Sequence, residues 1–218
     1  MGSNLYDKVH IRHLKKLGDL VPDVHKAHQG FAEAVMKDGV LSVKEKELIA
    51  VAVAHSTECP FCIDSHTKGA KKAGASLEEL AEAVYVTASI EAGGAFAHSA
   101  NMHNALDEAA DDALYRRSSM EHMKKLRQHA PEPFDAMMRF FQTATAEGKL
   151  SVKLKELIAV AVAHTTECPY CIDIHSKAAR KAGASDAELA EAILVTAYLR
   201  SGGAWAHMAL MIQAYGEE

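Results

Sequence analysis

The stretch SVKEKELIAVAVAHSTECPFCIDSH (residues 42–66) returns almost unchanged as SVKLKELIAVAVAHTTECPYCIDIH (residues 151–175). Its first half has the marks of a helix. Ser42 and Glu45 form the ends of a capping box, and Leu48, Ile49, Ala52 and Val53 follow at helical spacing. In the second copy Leu154 takes the place of the box glutamate, so Ser151 is a plain N-cap. The second half starts another helix, because Pro60 and Pro169 suit a first turn.

Outward from this stretch the likeness continues at a constant offset. Residues 39–98 match residues 148–207 at 43 of 60 positions without a gap. Upstream, Lys15, Lys16, Leu17, Pro22 and Phe31 align with Lys124, Lys125, Leu126, Pro131 and Phe140. The unit is too long for a solenoid module and reads as a duplicated domain, residues 1–109 followed by residues 110–218. In each copy a helix is expected from Pro22 or Pro131 toward Gly39 or Gly148, which suit C′ positions. The Cys-bearing helix closes at Gly74 or Gly183. Ser76-x-x-Glu79 and Ser185-x-x-Glu188 box the next one, which runs through Ala81, Val84 and Ala88. Gly93-Gly94-Ala95 and Gly202-Gly203-Ala204 are expected to break it and begin a last helix, with small residues for close helix contacts. No alternating strand pattern is present, and the fold class is all-α with two tandem helical repeats.

Composition excludes several functions. The 218 residues are 49% hydrophobic and 24% charged, with a net charge of −5. Basic residues are scattered, so no nucleic-acid partner is expected. The longest apolar run, Leu48–Ala54, is too short for a membrane span, and residues 1–30 lack the apolar core of a secretory leader. A cytoplasmic location follows, and there paired thiols are more often catalytic or metal-bound than structural.

All 4 cysteines fall in the repeated phrase Cys-x-x-Cys-x-x-x-His. A thiolate is the reactive and metal-binding form of cysteine, and a helix N-terminus stabilises it. Cys62 and His66, like Cys171 and His175, are four residues apart, so each imidazole shares a helix face with its thiol. Glu47 and Glu156, twelve residues ahead of Cys59 and Cys168, either face solvent or hydrogen-bond those histidines. Two chemistries remain open: thiol redox work, or zinc held by the Cys-x-x-Cys-x-x-x-His ligands. Zinc wants a fourth ligand, which His55 or His164 could supply.

The pattern Glu-x11-Cys-x-x-Cys-x-x-x-His in a small helical domain resembles the alkylhydroperoxidase D-like branch of the carboxymuconolactone decarboxylase superfamily. The resemblance covers nearly the whole chain, once per repeat. It implies a thiol peroxidase or disulfide oxidoreductase in which Cys62 and Cys171 attack a hydroperoxide and Cys59 and Cys168 resolve the product as a disulfide. Glu47, His66, Glu156 and His175 would then relay protons. The mycobacterial-type members carry a histidine directly before the second Cys, where Phe61 and Tyr170 stand here. The single-repeat relatives assemble through their helices, which implies a homo-oligomer, by analogy a trimer. With no flavin or nicotinamide fingerprint, no cofactor is expected, and electrons would come from a thiol or dithiol reductant, small molecule or protein.

The remaining histidines have plainer readings. His55 and His164 suit carbonyl capping near a helix end. His98 and His207 suit packing or an interface, and His10, His13, His25, His28, His103, His122 and His129 read as surface. Met120, Met123, Met137, Met138, Met208 and Met211 read as core or interface filling. Asp107–Asp112 reads as an acidic linker.

Overall fold

The structure, a computed structural model, describes residues 6–106 and 115–216, apart from the side chains of residues 101 and 103–105. The repeat boundary at 109/110, the acidic stretch 107–112 and the His103 side chain lie outside that description. Each repeat contributes four main helices. The first has α1 (Pro22–Met36), α2 (Val43–Ser56), α3 (Pro60–Lys72) and α4 (Leu77–Ala105); the second has α5 (Pro131–Thr145), α6 (Val152–Thr165), α7 (Pro169–Lys181) and α8 (Asp186–Gly216). The described residues contain no strand. No described helix is long and apolar enough to cross a membrane.

Local chemistry sets the helix starts as expected. Pro22 and Pro131 occupy first turns. The Ser42–Glu45 box closes in both directions, and Ser151 caps the Leu154 amide at 3.2 Å. Ser76–Glu79 and Ser185–Glu188 are reciprocal boxes with bonds of 2.8 and 3.2 Å. Gly74 and Gly183 end α3 and α7 at φ +88° and +91°, where a side chain would be strained.

Two expectations are corrected. Gly39 and Gly148 are not left-handed caps: α1 and α5 end earlier, at Met36 and Thr145. These glycines make room instead, since a Cβ at Gly39 would collide with the Glu191 carboxylate and one at Gly148 with Glu82. Nor do the glycine pairs break the last helix, because α4 and α8 each run straight through them. A helical glycine costs about 1 kcal/mol against alanine. Burial of Ile90, Ala97 and Ala100 on α4, and of Leu199, Ala206 and Ala209 on α8, outweighs it.

The two repeats share one core. The apolar helices α2 and α6 pack on each other at its centre, and α4 and α8 each lie against both. Leu48–Ala54 and Leu157–Ala163 are all essentially inaccessible. The repeats also exchange partners: α1 packs on α8 and α5 packs on α4. Glu191 of α8 accepts the Val40 and Leu41 amides at 3.1 and 2.8 Å and pairs with buried Lys46 at 3.1 Å. Its counterpart Glu82 accepts the Lys149 and Leu150 amides at 2.7 and 2.9 Å and pairs with Lys155 at 3.0 Å. The segment Lys8–Lys16 folds onto α8, burying Leu14 and Leu17 against Ala209, with Trp205, Met208 and Ile212 alongside. His10, His25 and His28 are therefore not surface residues. His10 is buried, and His25 and His28 stack on Trp205 at 6.4 and 5.4 Å. The methionines form no single cluster: Met123 is buried, Met208 flanks Leu14, and Met211 is exposed.

Candidate active site

Each cysteine pair sits where one helix ends and the next begins. Glu58 and Glu167 adopt φ of 53° and 56°, a left-handed conformation unusual for glutamate. That turn lets the Cys59 amide donate to the Ala54 carbonyl, and the Cys168 amide to Ala163, each at 3.2 Å. Cys59 and Cys168 become the N-caps of α3 and α7, and each sulfur accepts the amide of its partner cysteine at 3.3 Å. Cys59 and Cys62 are joined as a disulfide, with Cα atoms 5.3 Å apart, whereas Cys168 and Cys171 are free thiols. The spacing thus brings both sulfurs of a pair together at a helix N-terminus.

The carboxylates join them. Glu47 Oε2 lies 2.8 Å from His66 Nδ1, and Glu156 Oε2 lies 2.8 Å from His175 Nδ1. Neither glutamate is a solvated first-turn residue. An Nδ1–H donated to the carboxylate fixes the ring and leaves Nε2 as the nitrogen able to take a proton. His55 and His164 stay outside this set: their Nδ1 atoms lie 2.7 Å from the Val51 and Val160 carbonyls one turn back, as capping predicts.

The thiols differ in acidity and in access. Cys168 is lowered to about 6, chiefly by a hydrogen bond from the Cys171 thiol, helped by the Cys171 and Tyr170 amides and the His98 imidazole. Cys171 is pushed up by the same bond and by burial. Access runs the other way. Cys59 and Cys168 are 0% exposed, while Cys62 and Cys171 keep 6% and 4%. Cys62 and His66 line a cavity of about 600 Å³, and Cys59 does not.

Each site is completed by the other repeat. The cavity beside Cys62 is walled by Tyr198, Leu199, Gly202, Trp205 and Ala206 of α8. Tyr198 meets the His66 ring edge-on at 6.1 Å, and burial together with the Glu47 charge pushes its hydroxyl pKa up. Gly203 of α8 is buried against Cys59, so this small-residue face is used within the chain. His207 of α8 lies 6.2 Å from Phe61, and His98 of α4 is near enough to influence Cys168. Sequence reading took His98 and His207 as packed or interface residues without linking them to the cysteines, and it missed Tyr198 and Trp205. The signal was there in the positions where the repeats differ: Ser89 and Phe96 are their counterparts.

The fold and site define an all-α tandem-repeat protein with a helix-capping cysteine pair and a Glu–His pair in each repeat. Residues 22–104 and residues 131–214 each match the model of the carboxymuconolactone decarboxylase family. The chain belongs to that family. It is 46% identical over 82 residues to "Uncharacterized protein 4 in cox locus" of Paracoccus denitrificans, covering 38% of this chain and 74% of the relative. A second uncharacterized relative, from Cupriavidus necator, is 40% identical over 83 residues, covering 38% of this chain and 72% of its own length. A crystal structure from Burkholderia xenovorans, described as a candidate gamma-carboxymuconolactone decarboxylase subunit, shares the fold. It superposes with a TM-score of 0.69 over 93% of this chain and 90% of that one, at 20% identity.

Proposed function

We propose that the chain is a thiol-dependent peroxidase that reduces hydroperoxides through one dithiol per repeat, as in the alkylhydroperoxidase D-like branch of its family. The observation that carries this reading is the Glu–His pair, closed at 2.8 Å in both repeats one helical turn from the more accessible cysteine. A dithiol carrying one negative charge titrates as a unit. Cys168 holds that charge most favourably, but only Cys171, like Cys62, reaches the surface. The proton moves to the buried sulfur or to the Glu–His pair, and the accessible sulfur becomes the nucleophile.

The Cys62 or Cys171 thiolate attacks the terminal peroxide oxygen, the O–O bond breaks, and the departing alkoxide takes a proton from the histidine. Products are an alcohol and a cysteine sulfenic acid. The Cys59 or Cys168 thiol then displaces hydroxide, which leaves as water, and the disulfide closes. Two equivalents of a small thiol, or one protein dithiol, restore the pair by exchange, giving up two electrons in all.

The rival reading is zinc bound by the Cys-x-x-Cys-x-x-x-His ligands. The geometry favours it less: among the described residues no group of three or more His, Cys, Asp or Glu side chains is arranged to hold a metal ion. The test is thiol counting and intact mass on reduced protein before and after hydroperoxide, with metal analysis of the same sample. Loss of all 4 thiols with a mass decrease of about four hydrogens supports two redox sites. Thiols that react only after a chelator is added would replace this reading with zinc. Tyr85 and Leu194, equivalent exposed apolar residues on α4 and α8, support association of copies, by analogy as a trimer.

A further inference from the structure

The two dithiols face different surroundings although their motifs are nearly the same. In the first repeat the cavity of about 600 Å³ extends from Tyr6, Lys8 and Ile11 at its mouth, past Phe61, to Cys62 and His66 under α8. Around Asp64 the mouth is polar, since Lys8 and Lys68 both bond that carboxylate. The interior is apolar and aromatic, with Tyr198 and Trp205 opposite Phe61.

In the second repeat a depression of about 790 Å³ lies over the counterparts of the mouth and of Phe61, with Ile172, Ser176, Arg180, Asp186 and Leu189 beside them. Tyr115, Arg117, Met120, Tyr170, Asp173 and Lys177 stand for Tyr6, Lys8, Ile11, Phe61, Asp64 and Lys68. Cys171 and His175 are not among its described walls, nor is any residue of α4. The substitutions agree with this difference. Trp205 becomes Phe96, which is held in a cluster with Phe134 and Phe141 at 5.6 and 6.3 Å. Tyr198 becomes Ser89, which is buried. Ser65 becomes the larger Ile174 on the helix face beside the motif.

We propose that the first repeat's cavity is a binding site for the alkyl or aryl body of an organic hydroperoxide, and that the second dithiol, whose depression is not lined by Cys171 or His175 among the described residues, serves small oxidants. The volume falls in the range of small-molecule sites, which are mostly apolar with a few convergent polar groups. Here those groups are the Cys62 thiol, the His66 imidazole and the Tyr198 hydroxyl. An apolar body between Phe61 and Trp205 sets its –OOH group at Cys62. The products are the corresponding alcohol, water and the Cys59–Cys62 disulfide, which two equivalents of a small thiol or one dithiol then reduce.

This inference rests on the peroxidase reading for its substrate, but its cavity can be tested without turnover. Reduced full-length protein is labelled with N-methylmaleimide or with N-benzylmaleimide, two reagents of the same chemistry and different bulk, and the rates at Cys62 and Cys171 are followed by peptide mass spectrometry. We expect both cysteines to take the methyl reagent. The benzyl reagent should favour Cys62 over Cys171 by at least about tenfold, the scale on which pocket shape discriminates. Equal benzyl labelling of the two, or a Cys171 closed to both reagents, overturns the proposal. Tyr198→Ser with Trp205→Phe should shrink the benzyl preference. In kinetics, the ratio of kcat/KM for cumene hydroperoxide to that for hydrogen peroxide should fall when Cys59 and Cys62 are replaced by Ser and rise when Cys168 and Cys171 are. A selective labelling pattern in a protein that turns over neither peroxide would sink the peroxidase reading and leave the cavity standing.

Discussion

The Glu47 carboxylate stands 2.8 Å from His66 Nδ1, and each of the two side chains is only 14% exposed. A glutamate beside so apolar a helix face is desolvated, so it fixes one imidazole tautomer rather than merely screening charge. Glu47→Gln together with Glu156→Gln keeps the shape and removes the charge. We expect reduction of peroxide by the dithiols to slow by about 10²- to 10⁴-fold, the usual worth of a positioned acid–base group. Single-turnover oxidation of reduced protein, followed by loss of free thiol, measures this. Wild-type rates in the double variant would remove the pair from the mechanism.

The exchange of carboxylates between repeats carries a stability prediction. Glu191 satisfies the Val40 and Leu41 amides and the ammonium of Lys46, whose side chain is 3% exposed. Glu191→Ala leaves a buried charge without its carboxylate and two amides without acceptors. The expected loss is about 2–4 kcal/mol, read as a lower urea midpoint of the reduced protein. Glu191→Gln should fall between, because an amide oxygen still accepts but the charge is gone. Glu82→Ala should behave alike through Leu150 and Lys155.

What the sequence revealed and what it hid separate along physical lines. Caps, first-turn prolines and the Cys-to-His spacing are local, set by neighbours within four residues, and Ser42, Pro60 and His66 are placed as read. The apolar run Leu48–Ala54 announced a buried helix for the same reason. The glycine pairs misled because propensity is a weak local term, and the burial of Ile90 and Leu199 across the molecule overrode it. Gly39 was assigned to a cap because its true constraint, the Glu191 carboxylate, lies 152 positions away in the chain. The walls from Tyr198 and Trp205 were hidden likewise, since repeat logic pairs each motif with its own helices while the fold closes the first site with α8 of the other repeat. His10 and His28 looked like surface residues until the N-terminal segment and α1 met α8.

The hydrogen bond from the Cys171 thiol to Cys168, with a smaller influence from His98 across the repeats, sets a pH dependence. Cys168 titrates near 6 against an ordinary thiol value of 9.0, so the folded reduced state carries an anion that the unfolded chain would protonate. A pKa depressed by folding contributes stability that is fully present above the unfolded value and lost as pH falls through the folded one. For the reduced second site the contribution therefore declines from pH 9.0 to about 6 and is absent below that. Above 9.0 the raised Cys171 opposes any further gain, because the folded thiol keeps a proton that the unfolded chain gives up. In a variant with Cys59 and Cys62 replaced by Ser, ultraviolet thiolate absorbance should show one titration near 6 and no second step by pH 9.0. His98→Gln should move that midpoint upward by removing the imidazole that lowers it. Urea midpoints of the same protein should rise from pH 6 to 9.0, and less so once Cys168→Ser is added. A single thiolate transition near the ordinary value, unmoved by His98→Gln, would show that neither the cysteine pairing nor the helix of the other repeat acidifies this site.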